Sequence, residues 1–142
     1  MKTNTLILLF LCFAFSNCKN ETKAAATATA ISLNLKLNDG EKWTANPETH
    51  ESVLKMDAII NAFKNEQQKD YQLLGKNLSK QTSYIIKNCS MEGESHDQLH
   101  VVLLPMLDAI STLKESENSE KSKKILTEIE AYIDAYFNHF KL

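Results

Sequence analysis

Ile125-Leu126-Thr127-Glu128-Ile129-Glu130-Ala131-Tyr132-Ile133-Asp134-Ala135-Tyr136-Phe137 is the stretch that decides the fold. Its large apolar side chains recur in steps of three and four, and the run continues to Phe140, which puts them on one stripe of a 3.6-residue helix. Asn118 or Ser119 is the natural start of this helix, since a short polar side chain can accept from its first free N–H groups.

The same period extends backward through the chain. A third helix is expected from Ser95, where Ser95 and Gln98 have the spacing of a capping box, through Leu99, Leu103, Met106, Leu107, Ile110 and Leu113. Pro105 should bend it, because a proline there frees the Val101 carbonyl. The second helix carries Tyr71, Leu74, Leu78, Thr82 and Ile85, with Cys89 continuing in register. For the first, Asn46 is the expected cap and Pro47 the first helical position, followed by Val53, Met56, Ile59, Ile60 and Phe63. Four amphipathic helices joined by short polar loops predict an all-α, up-down-up-down antiparallel four-helix bundle over residues 46–142. There is no internal repeat and no second domain.

Upstream the period changes. Ile31, Leu33, Leu35 and Leu37 alternate with polar residues before the turn residues Asn38-Asp39-Gly40, so residues 31–45 read as an extended segment, half of a hairpin at most. A lone strand of this kind must lie across other elements to bury its apolar side. Residues 18–30 are small and polar and read as a flexible tether.

Residues 1–17 have the grammar of an export signal: Lys2 near the start, then an apolar run from Leu6 to Phe15. That run is about half the roughly 20 apolar residues a spanning helix needs. Phe15-Ser16-Asn17-Cys18 resembles the lipobox of bacterial lipoproteins, departing from it at Phe15, where Leu is typical, and at Asn17, where a smaller residue is. The resemblance implies a diacylated Cys18 as the mature N-terminus and a protein held in the cell envelope, facing the periplasm or the exterior.

Composition sets further bounds. Removing residues 1–17 takes away Lys2 and no acid, so 15 lysines face 18 acids and the formal charge moves from −2 to −3. An acidic chain with no arginine is a poor match for nucleic acid, which needs cationic and often forked contacts. Of the three cysteines, Cys12 leaves with the signal and Cys18 takes lipid, so Cys89 remains without an internal disulfide partner.

In an up-down bundle the start of the first helix, the end of the second, the start of the third and the end of the fourth share one pole. That pole collects His50, Cys89, Met91, His96, His100 and His139, which include every histidine of the chain. His96 and His100 are four apart, the spacing at which two imidazoles on one helix face can hold one ion. Thiolate, thioether and imidazole donors together suit copper first and zinc second. The leading expectation is therefore a non-enzymatic envelope protein binding a soft metal ion through Cys89, His96 and His100, with Met91, His50 and His139 as candidates to complete the site.

Two other readings use different features. The bundle layout resembles that of b-type four-helix cytochromes, which would make Met56 and His139 axial ligands of a haem b, with Tyr136 and Phe140 lining its pocket. Covalent attachment through Cys-x-x-Cys-His has no matching residues. Alternatively the bundle, or the alternating run from Ile31 to Leu37, docks an envelope protein by pairing with a sheet edge. The segment from Asn88 to His100 is also similar to small Bacteroidota envelope proteins associated with metal handling. Catalysis has little basis: His96-Asp97-Gln98-Leu99-His100 lacks the Glu that a zinc peptidase uses as base, and there is no Glu-x-x-His pair for a di-iron centre.

Overall fold

The computed structural model describes residues 32–142; the expected signal, Cys18, the tether and Ile31 lie outside the described residues. Four helices account for most of it: α1 (Pro47–Lys64), α2 (Tyr71–Asn88), α3 (Gly93–Glu115) and α4 (Ser119–His139). Each consecutive pair packs along its length, giving the expected antiparallel bundle, whereas α1 and α4 meet over a shorter stretch. Among the described residues no helix is long and apolar enough to cross a membrane.

Local chemistry sets the helix starts. Asp70 accepts from the Leu73 N–H at 2.8 Å, and Asn118 accepts from the Lys121 N–H at 2.9 Å, so each satisfies an N–H that the helix leaves free. Asn46 and Pro47 take the expected first positions of α1, but the Asn46 side chain accepts from none of the helix's free backbone N–H groups. It accepts from Thr49 Oγ1 at 2.6 Å and donates to the Asn88 carbonyl at 3.1 Å, fastening the start of α1 to the end of α2. At the far end of α1, Lys69 Nζ donates to the carbonyls of Phe63, Lys64 and Glu66 at 2.6, 2.9 and 2.6 Å, which covers the negative end of the helix dipole.

Two sequence expectations need correcting. Ser95 does not cap α3; the helix begins at Gly93, with Glu92 in the capping position and Ser95 Oγ donating back to the Glu92 carbonyl at 3.0 Å. Gln98 is drawn elsewhere, because its Oε1 accepts from the Lys36 N–H at 2.7 Å. Phe140 is not part of α4, which stops at His139 and hands Phe140 to a strand. Pro105 sits within α3, which runs through it without interruption.

The core takes its side chains from all four stripes, with Met56, Leu78, Ile85, Met106, Ile129 and Tyr136 all fully enclosed. Fully burying a side chain of this size contributes roughly 1.5–3 kcal/mol relative to leaving it in water. Helices α2 and α3 approach each other closely at Gly75, where a Cβ would lie 2.6 Å from the Lys114 backbone nitrogen.

The extended segment behaves as a strap. Leu33 and Leu35 are half-buried and pack against the core, the chain turns over the Asn38–Glu41 bridge, and Trp43 is buried with its Nε1 donating to the Lys36 carbonyl at 2.7 Å. Asp39 and Gly40 take positive φ of 48° and 91° in that turn, a conformation that short polar residues and glycine adopt at least cost. The pairing that results is not a hairpin. Strand β1 (Trp43–Thr44) lies parallel to β2 (Phe140–Lys141), with Trp43 opposite Phe140, so the start of the domain is clasped to the end of the chain.

Candidate metal centre

The shared pole of the bundle is present as the topology requires. The Asn46–Asn88 hydrogen bond joins α1 to α2 there, His50 Nδ1 lies 3.2 Å from the Tyr136 hydroxyl and joins α1 to α4, and the Gln98–Lys36 bond brings the start of α3 to the strap. The six expected donors are therefore at one end, but they point in different directions.

His50 is half-buried, with its ring edge-on to Phe137 at 6.0 Å and one nitrogen engaged by Tyr136. His139 Nδ1 lies 2.8 Å from the Ala135 carbonyl. A carbonyl only accepts, so Nδ1 carries the proton and Nε2 is the nitrogen left for a ligand. Met91 is buried as a core residue, and Cys89 is a free, half-buried thiol packed against that core. Cys89 also lies close enough to Tyr136 to help raise the pKa of the phenol, although burial is the larger cause.

His96 and His100 do come together. Their ring centroids are 4.3 Å apart and the planes are inclined at 56°. His96 is half-buried and His100 exposed, so both rings have room to turn a nitrogen toward one ion at the 2.0–2.1 Å typical of metal–imidazole bonds. The close contact of Gly75 with Lys114 identifies the side of α3 that bears them. His96 precedes Lys114 by 18 residues, five full turns, so it lies on the same α2-facing flank. Counting 14 residues from that contact along both antiparallel helices, about 21 Å, reaches Cys89 on one and His100 on the other. Cys89 is thus level with the pair. Yet among the described residues no three His, Cys, Asp or Glu are placed to hold one ion together.

Met56 is fully buried in the middle of α1. Two surface cavities, of about 430 and 530 Å³, are lined at the opposite pole around Asp70 and Ser119 and along the outer face of α2, and neither includes Met56 or His139. The apolar side of the strap that was expected to dock a partner is in part used internally, since Leu33 and Leu35 cover the bundle.

Sequence reasoning missed the organising role of Tyr136. It is wholly buried, stacks on Phe140 at 4.9 Å with planes 11° apart, meets Phe137 at 5.5 Å and reaches His50. Its hydroxyl on an otherwise apolar stripe was the available signal, because a buried phenol needs a partner. No protein-family model, curated protein or solved structure matches the chain.

Proposed function

We propose that this is a non-enzymatic protein of the bacterial cell envelope, anchored through lipid on Cys18, that binds a copper or zinc ion through His96 and His100. The observation carrying the metal reading is the 4.3 Å separation of the two rings on α3. Of the six expected donors, the two brought against each other are imidazoles, whereas Met91 is in the core and Cys89 packs against it. Imidazole nitrogen suits Cu(II) and Zn(II), and Cu(II) is the tighter-binding of the two. A structural zinc site is normally closed by four protein ligands, so a two-donor site holds its ion exchangeably. Such a protein carries or buffers metal.

Titration calorimetry with Cu(II) and Zn(II) tests this. The native chain is expected to bind, the variant with both His96→Ala and His100→Ala to lose binding, and Cys89→Ala to retain it. Affinity unchanged by the double histidine replacement would overturn the reading. The ion displaces protons from its ligands, so affinity is also expected to fall as the solution is acidified.

The anchor is supported by the short apolar run ending at Phe15-Ser16-Asn17-Cys18. One acyl chain gives only marginal membrane binding, so the two chains of a diacylated cysteine are what hold a protein stably. In detergent phase partitioning of cells making the protein, the native chain is expected in the detergent phase. Cys18→Ser is expected to shift it out of that phase, and equal partitioning of the two would count against lipidation.

A further inference from the structure

We propose that the ion at His96 and His100 joins two copies of this chain, each copy giving both imidazoles to one four-nitrogen centre. The proposal rests on the metal reading above and adds to it what completes the coordination shell. Two imidazoles are half of a tetrahedral set. Among the described residues no third His, Cys, Asp or Glu is placed to join them, so the described part of one chain leaves half of the coordination shell to other donors. A two-fold axis through the ion supplies an identical pair at no cost in new surface chemistry, because an isologous contact uses the same patch twice.

The surroundings of the pair suit that arrangement. The strap crosses α3 at Gln98, two residues from each histidine and therefore about 160° round the helix from either, so it leaves the pair uncovered. His96, His100 and Leu104 form one row at steps of four, and Leu104 is 54% exposed. On α2, Ile86 is 62% exposed and follows Gly75 by 11 residues, which returns it to within about 20° of the α3-facing side. By the antiparallel count from Gly75 and Lys114, Ile86 is level with Leu103, one turn from His100. Two large exposed apolar side chains thus flank the half-buried His96 and the exposed His100.

Charge makes the contact depend on the ion. Glu92, Glu94 and Asp97 are exposed at the start of α3, with Lys87 the basic residue at the end of α2. Two such acidic ends repel each other, and a divalent cation between them offsets that repulsion.

The test is sedimentation velocity on the whole lipid-bearing chain, in enough detergent that each micelle holds at most one copy, with Zn(II) as the probe and chelator as the control. The expected result is a doubling of protein mass with Zn(II), at one ion per two chains, and monomer in chelator. Ile86→Lys combined with Leu104→Lys changes only exposed positions, and is expected to keep zinc binding while remaining monomeric. One ion per monomeric native chain would overturn the inference and leave the His96–His100 site standing. No zinc binding by the native chain would overturn both. A dimer that persists in chelator, or after His96→Ala and His100→Ala, would show that the ion is not what joins the copies.

Discussion

Gly75→Val is expected to lower the thermal midpoint of the domain by on the order of 15 °C, from a loss of about 3 kcal/mol. In an exposed helix, replacing glycine with a larger residue usually helps, by up to about 1 kcal/mol for alanine. The sign reverses here because of what the new side chain meets. A Cβ at residue 75 would lie 2.6 Å from the Lys114 nitrogen and 2.7 Å from its Cα. Both are backbone atoms of a helix, which no rotamer change can move, so α2 and α3 must separate along the interface they share. Gly93 provides the comparison: nothing lies within 4 Å of a Cβ there, and only its positive φ of 62° opposes substitution. Gly93→Ala should therefore cost about 1–2 kcal/mol. Circular dichroism melts of the two variants check both values, and a Gly75→Val melt within a degree or two of native would refute the close-packing account. Because His96 and His100 sit on one helix, the Gly75 variant should still bind metal at temperatures where it is folded.

Tyr136→Ala is expected to cost about 4 kcal/mol, against about 1 kcal/mol for Tyr136→Phe. The difference separates packing from hydrogen bonding. Alanine empties the space between Phe140, Phe137 and His50, whereas phenylalanine keeps the stack on Phe140 and removes only the hydroxyl that lies 3.2 Å from His50. Urea denaturation measures both, and equal costs would mean that the hydroxyl, not the ring, dominates.

Tyr136 also predicts an alkaline limit. Burial first, and then Cys89, push its pKa above the ordinary value of 10.0. The folded protein therefore holds the phenol proton at pH values where the unfolded chain releases it. That contribution is complete below pH 10 and declines as pH rises beyond it. The decline in the urea midpoint above pH 10 should be shallower in Tyr136→Phe, which has no proton to lose.

The helices were legible because each carries an uninterrupted apolar stripe, and Asn118, Asn46 and Pro47 marked true starts. Ser95 misled because Gln98 had a better use: an unpaired amide of the strap, 62 residues earlier, competes for the same side chain, and no local pattern reveals a distant donor. The same holds for the Trp43–Phe140 pairing, which a two-residue strand cannot announce. The pole was legible from topology alone, since it needs only the direction of each helix. Which donors converge was not, because direction is fixed by neighbours: Met91 turns into the core, His139 bonds its own helix and His50 turns to Tyr136. His96 and His100 escaped this uncertainty, because a spacing of four on one helix fixes their proximity without any help from the rest of the fold.

The β1–β2 pairing also orders events in time. Trp43 finds its partner nearly a hundred positions later, at Phe140, so the clasp is a highly non-local contact and closes late. While the chain is being synthesised, the helical hairpins can collapse one after another, but the strap stays loose until Lys141 has emerged. A product cut short before Phe140 thus leaves Trp43 and its neighbours open to proteases, and the strap is held down only once both strands of the clasp exist.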